Sequence, residues 1–369
     1  MRSRSRSARL WLLALAALTA GSGILAVAAE GLGVSILPGK RLERPDPSAR
    51  PTEVEPGTTA EADDASEPPG AQKGKREGNG IGRCHGTVAP VGGSLQATVG
   101  GAPEGAVLCL QPGTYTTSAP IVPKDGQTLM GSGRKKTFVT TSSADAVFDA
   151  KRSTDVVFKR LDISGAVAGQ GCEPACGRGI AAGLNTVIKK VRLHHNAVGG
   201  VGGSEGNLLI TRSELDHNGG ESFIGCCAAG VKTGSAFTIE DSYVHDNVGV
   251  GIWCDVGCDG TLFVVRDNTV LNNTMGGIRY EISSVPAVIQ GNTVQGNNIL
   301  SEGGHGGIEI NSSANVVVQQ NVLGSNGGVG VIAGGNRAPG LSNVEIIDNV
   351  LQGEDIQGCG AGVSCVGNY

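Results

Sequence analysis

Large aromatic side chains are scarce in this sequence, with phenylalanine, tyrosine and tryptophan together making 3% of 369 residues. Bulky rings supply much of the filling of a single deep core, so their scarcity argues against one large globular interior. Charge is also sparse at 17%, and the balance is −5, which removes the basic excess that a nucleic-acid partner requires. Cysteine is missing from the first 83 residues, and all ten cysteines follow. What is abundant is glycine, at 61 residues, in a chain that is still 39% hydrophobic. That apolar share is too high for disorder, and the combination points to many small stacked units.

The chain divides by composition. Residues 1–9 are basic and residues 11–29 continuously apolar or small, the order of an export signal, with Ala26-Val27-Ala28 offering a small-residue cleavage site. Residues 1–30 therefore read as a signal peptide or, if uncleaved, an N-terminal membrane anchor that leaves the bulk of the chain outside. Seven of the fifteen prolines lie between Pro38 and Pro69 among Glu, Asp, Ser and Thr, so residues 31–80 read as an extended, disordered linker. Deleting residues 36–80 should accordingly leave the thermal midpoint within about 2 °C, checked by differential scanning calorimetry.

An even set of cysteines in an exported region reads as disulfides. Cys84 with Cys109 would tie down the first strands, and Cys359 with Cys365 the last turn. Cys254 and Cys258 bracket a turn that contains Asp255. Cys172, Cys176, Cys226 and Cys227 occupy two loops expected on one edge, where cross-bridges between the loops are expected. Connectivity does not follow from the sequence.

From residue 81 onward the sequence repeats. Glycine before an aliphatic residue recurs at Gly179, Gly200, Gly230, Gly251, Gly277, Gly307 and Gly330, and asparagine closes a second strand at Asn196, Asn218, Asn247, Asn273, Asn297 and Asn326. A third set, Asn268, Asn292, Asn321 and Asn349, keeps the same beat. Short alternating strands with a period in the twenties are the mark of a solenoid with one repeat per coil. Val, Ile and Asn stand where leucine-rich repeats would need leucine, and stacked asparagines can hydrogen-bond from coil to coil. The fold class expected for 81–369 is all-β, a right-handed parallel β-helix. The stretch 93–122, GSLQATVGGAPEGAVLCLQPGTYTTSAPIV, resembles the opening region of the pectate-lyase-like β-helix superfamily. Residues 93–103 are expected to form a short helical or looped cap over the open end.

The repeat fixes which side chains share a face. Ile252, Ile278, Ile308 and Val331 are expected inside. Two residues after each ladder glycine, Lys232, Trp253, Arg279 and Glu309 are expected outside, and two further on Asp255, Glu281 and Asn311. Neighbouring coils are about 4.8 Å apart, which would stack the carboxyls of Asp255 and Glu281. Such stacking of like charge is unfavourable on a sheet. Two carboxyls at that spacing fit a retaining glycosidase, and their mutual repulsion separates their proton affinities. Long turns at 219–229 and 298–306 flank the two short-turned coils, so the acids would lie on the floor of a cleft. Trp253 would serve as a sugar platform, and His305 would reach the ligand from the second long turn.

Trp253-Cys254-Asp255, followed one coil later by Tyr280-Glu281-Ile282-Ser283, resembles the tryptophan–x–aspartate and glutamate–aliphatic–small pattern of β-xylosidases and related retaining glycosidases built on a parallel β-helix. The resemblance implies Asp255 as nucleophile and Glu281 as acid/base. The chain departs at Ser284-Val285-Pro286, where that family continues His-Gly-Pro. The expected partner is a polysaccharide or oligosaccharide, the chain acting as a monomer outside the cell, with membrane contact only through the N-terminal segment.

Two other readings use the same residues. A polysaccharide lyase or uronate epimerase would hold Ca²⁺ on Asp255, Glu281 and Glu309, with Arg279 or Lys232 as base. A non-catalytic glycan-binding protein would use the cleft alone. No cofactor is expected outside the lyase reading. His194, Asp216 and His245 fall at equivalent outward positions of three coils and read as a solvated polar row, not a metal site. His85 carries no signal.

Overall fold

The computed structural model describes residues 84–90, 93–169, 176–301 and 304–369. The export segment, the linker and Cys172 lie outside the described residues.

The chain winds into a parallel β-solenoid with three sheets of 12, 10 and 9 strands. Each complete coil contributes one strand to each sheet, and the coils at the two ends are incomplete. The coil that carries Asp255, for example, runs through Val250–Asp259, Phe263–Arg266 and Thr269–Leu271, and the next through Gly276–Glu281, Ala287–Gln290 and Thr293–Gln295. Among the described residues the only α-helix is Leu95–Gly101, followed much later by one 3₁₀ turn, Glu221–Phe223. That helix is the expected cap. Ser94 accepts a hydrogen bond from the Ala97 amide at its N-terminus, and Leu95 and Val99 are buried against the first coil. No helix of the described residues is long and apolar enough to cross a membrane.

The interior is a set of single-file stacks. Ile180, Val201, Val231, Ile252, Ile278, Ile308 and Val331 pair in register along the 9-stranded sheet, and none is accessible to solvent. Each such side chain contributes about 1.5–3 kcal/mol by burial. The interior is filled mostly by aliphatic residues one coil at a time, with Phe148, Phe158, Phe237, Phe263 and Tyr280 as the fully buried aromatics.

Two asparagine ladders hold the corners. Asn273 donates through Nδ2 to Asn297 Oδ1 at 2.9 Å and to the Val244 carbonyl at 3.2 Å, and its own Oδ1 accepts from the Asn247 amide and side chain. The pattern runs from Asn196 to Asn326 and ends on Glu354, whose carboxylate takes the place of the next amide. The second ladder runs from Asn268 through Asn292, Asn321 and Asn349 to Asn368. The ladder glycines face these amides. A Cβ at Gly277 would meet the Gly307 carbonyl oxygen at 2.5 Å and Asn297 Nδ2 at 3.1 Å, so the corner closes only over a residue without a side chain.

Candidate functional site

On the 9-stranded sheet the register stacks Lys232, Trp253, Arg279 and Glu309 on neighbouring coils, and beyond them Glu281 against Asn311. Asp255 follows Cys254, which pairs with Tyr280, so it leaves the ladder one coil before Glu281. Gly234 and Gly334 stand at the two ends of that row, where an added Cβ would meet nothing within 3.8 Å, so the sheet surface is open on either side of the acids.

The ladder is interrupted at Asp255. Ser235 pairs with Asp259, so the segment after Cys254 bulges out of the sheet, and the Cys254–Cys258 disulfide closes the bulge. Both sulfurs belong to buried residues, which anchors the bulge to the core beneath it. Asp255 thus sits on a short tethered turn, its carboxylate 3.0 Å from Lys232 Nζ and its side chain 28% exposed.

Glu281 is held differently. Its Oε2 accepts from Trp253 Nε1 at 3.1 Å and its Oε1 from Asn311 Nδ2 at 3.2 Å. Burial pushes its carboxyl above the ordinary carboxylate range; the positive charge of Arg279 opposes that rise and the negative charge of Asp255 adds to it.

The inner row is covered. Trp253 is 4% exposed, so its ring is not an open platform: it packs with Val250, Met275 and Ile224 of the first long turn. Lys232 Nζ lies 3.6 Å from the centre of that ring and the Arg279 guanidinium 4.7 Å, a cation on each side. Lys232 also donates to the Cys226 carbonyl, and burial pulls its ammonium below the ordinary lysine range, an effect that Asp255 opposes. Arg279 donates to Glu309 Oε2 at 2.6 Å and to His305 Nδ1 at 2.6 Å, and Glu309 is 3% exposed. Arg279, Glu309 and His305 therefore lock the second long turn onto the sheet, and Glu309 does not join Asp255 and Glu281 in a three-carboxylate group.

The cysteines of the first long turn also differ from expectation. Cys226 is bonded to its neighbour Cys227 and Cys176 is disulfide-bonded, so neither Cys226 nor Cys227 bridges the two loops. Cys84 is joined to Cys109 and Cys359 to Cys365.

Arg178, on a coil of the same sheet, is a buried cation that sequence reasoning did not single out. Its side chain lies across the next coil, so that a Cβ at Gly202 would fall 2.3 Å from its Cδ and Nε. Burial pulls its pKa down to about 10, and its charge adds to the lowering at Lys232. The signal was available in Gly199 and Gly202, which leave room on the coil beside Ala229 and Lys232.

Residues 147–299 match the family model described as "Right handed beta helix region". The fold is a right-handed parallel β-helix. A Streptococcus pneumoniae surface protein and adhesin, PfbA, has a similar structure at TM-score 0.55 and 13% identity, covering 71% of this chain and 88% of that one. Tailspike protein 2 of Escherichia coli O157:H7 bacteriophage CAB120 is similar at TM-score 0.52 and 16% identity, covering 72% of this chain and 38% of that one. The enzymatically active domain of bacteriophage CBA120 tailspike protein 2 aligns at TM-score 0.52 and 16% identity, covering 76% of this chain and 46% of that one. The chain spans less than half the length of either tailspike structure. No curated protein matches it by sequence. At these identities the likeness is one of fold.

Proposed function

We propose that this chain is an extracellular, carbohydrate-active protein that cleaves glycosidic bonds with retention of configuration, using Asp255 as nucleophile and Glu281 as acid/base. The observation that carries the reading is the unequal treatment of two carboxyls on adjacent coils. Asp255 is ion-paired with Lys232, while Glu281 is shifted toward its protonated form and, among the described residues, is not paired with a cation at salt-bridge distance. That division of roles is what the two halves of a retaining reaction need. In the first step an Asp255 oxygen bonds to the anomeric carbon as the bond to the leaving oxygen breaks, and Glu281 gives that oxygen its proton. In the second, Glu281 takes a proton from water, whose oxygen attacks the anomeric carbon and releases Asp255. The basic-then-apolar N-terminus and the disulfides support an extracellular setting. On similar solenoids, a surface adhesin and an enzymatically active tailspike domain are found, which is support by analogy of fold.

The deciding experiment is product stereochemistry by NMR during turnover of aryl glycosides and glycan fragments. The retained anomer appears first if the reading is right, and the inverted anomer as first product would exclude it. One observation favours a second reading: the lowered proton affinity of Lys232 beside a carboxylate suits a base that removes a sugar C5 proton. An unsaturated uronate product, absorbing in the ultraviolet, would select that elimination.

The raised Glu281 carboxyl also sets a pH profile. Because Glu281 must be protonated for the first step, kcat/KM should fall on the alkaline side at a pH above the ordinary carboxylate range. Trp253→Phe keeps most of the packing but removes a hydrogen bond that favours the charged form of Glu281. The alkaline limb should therefore move upward, by up to about one pH unit. A limb that stays in place would separate Trp253 from the acid.

A further inference from the structure

The 10-stranded sheet carries a second polar cluster, away from the cleft. Its register stacks Arg192, Glu214 and Tyr243 in one row and His194, Asp216 and His245 in the next. The Glu214, Asp216 and His245 side chains each offer a ligand atom, and these atoms lie within 4.8 Å of one another. Asp216 is fully buried, and the side chains of His245 and Glu214 are 11% and 25% exposed.

Charge does not balance here. The carboxylates of Asp162, Glu214, Asp216 and Asp246 are linked in one network to the guanidiniums of Arg134 and Arg192. With the paired imidazoles of His194, His217 and His245 neutral, four negative charges against two positive leave two unmatched in a half-buried setting. A divalent cation supplies the missing charge, as would two protonated imidazoles.

The orientation of His245 favours the metal. Its Nδ1 is 2.6 Å from Asp246 Oδ2 and its Nε2 is 3.4 Å from Glu214 Oε1, so a neutral ring with its proton on Nδ1 would turn the Nε2 lone pair toward the two ligand carboxylates. A lone pair facing a carboxylate oxygen needs a cation or a proton between them. A carboxylate behind the far nitrogen is how metal-bound imidazoles are commonly oriented. Arg192 lies against the site, its Nε 3.8 Å from Glu214 Oε1, but leaves acceptor positions open. It gives Nε to Asp216 Oδ1 and a terminal nitrogen to Oδ2, and His217 takes a second position on Oδ2, which leaves one of roughly four acceptor positions, on Oδ1.

We propose that Glu214, Asp216 and His245 bind one divalent transition-metal ion of the zinc type, with Asp246 as the residue that orients the imidazole. One nitrogen and two carboxylate ligands suit zinc or cobalt, and not calcium, which takes oxygen alone. The ion competes with protons. Tyr243 stacks on the His245 ring at 3.8 Å, and His217 meets it edge-on at 6.2 Å. Ligation requires the neutral ring, so affinity should climb as pH rises from about 6 to 8.

The test uses the full chain after chelator treatment, titrated with Zn²⁺ by calorimetry and with Co²⁺ by visible absorption. One equivalent should bind at pH 8, at least tenfold more weakly at pH 6. His245→Gln should weaken binding at least tenfold and remove the Co²⁺ band. Asp246→Asn, on a more exposed side chain, should weaken it about 10- to 100-fold without touching a ligand, and decides the matter if His245→Gln does not fold. Absence of a saturable equivalent, or binding unchanged in either folded variant, overturns the proposal in favour of protonated histidines.

Discussion

Asp255→Ala is expected to lower turnover by roughly 10⁴-fold or more, because it deletes the atom that would bond to the anomeric carbon. Lys232 would lose its carboxylate partner at the same time, yet it keeps the Cys226 carbonyl and the Trp253 ring, so the fold should survive. Circular dichroism and the thermal midpoint check that point. Glu281→Ala should behave differently according to the leaving group. Substrates with acidic phenol leaving groups need no proton in the first step and should still show a burst, while breakdown of the glycosyl-enzyme slows. Added azide should then restore turnover and give a glycosyl azide of retained configuration. Full activity in Asp255→Ala, or equal loss with all leaving groups in Glu281→Ala, would remove the two-carboxylate mechanism.

The second large effect is on stability. Asn273→Asp keeps the size of a fully buried side chain but turns two donations, to Val244 O and Asn297 Oδ1, into contacts between oxygens. An uncompensated buried carboxylate costs about 3–5 kcal/mol, and the unmet carbonyl and amide oxygens add about 1–3 kcal/mol each. That is a large part of the roughly 5–15 kcal/mol that holds a folded domain, and local opening of the coils around Asn247 and Asn297 is expected first. The sign with pH is distinctive. Burial raises the folded-state pKa of the new carboxyl above its unfolded value, so the loss is greatest above that folded pKa and shrinks as pH falls through it. Denaturant unfolding and amide exchange at pH 5 and pH 8 would show it. A variant as stable as the parent at both values would mean that the amide ladder is ornamental.

The fold could be read from spacing because a solenoid repeats its corner chemistry at every coil. Glycine and asparagine recur where Gly277 must pass close to the Gly307 carbonyl and where Asn273 must reach Asn297. The inward stack through Ile252 and Ile278 followed from alternation alone. What could not be read depends on how long turns fold back. The outward side of Trp253 was legible, but whether Ile224 would cover it was not, since the position of residues 219–229 is set by tertiary contacts and not by period. Lys232, Arg279 and Glu309 were hidden for the same reason. The bond between Cys226 and Cys227 likewise has no counterpart in the repeat. The backbone at His195, His217, Asp246 and Asn272, each with positive φ just before a ladder asparagine, shows a further limit. Histidine, aspartate and asparagine are the residues most tolerant of that conformation, so the turn shows in the sequence as a class of residues and not as one type.

Backbone pairing makes distance on this surface a discrete variable. Two acids in the same outward row can be one rung apart, about 4.8 Å, or two, about 9.6 Å, with little between. Those steps fall near the carboxyl separations of about 5–5.5 Å for retention and about 6.5–9.5 Å for inversion. Asn311 already stands in the row beside Glu281, two coils from Asp255. On such a scaffold the stereochemical outcome of a glycosidase becomes a matter of coil arithmetic: moving one carboxylate a single coil along the row selects between the two reaction courses, with no change to the fold beneath.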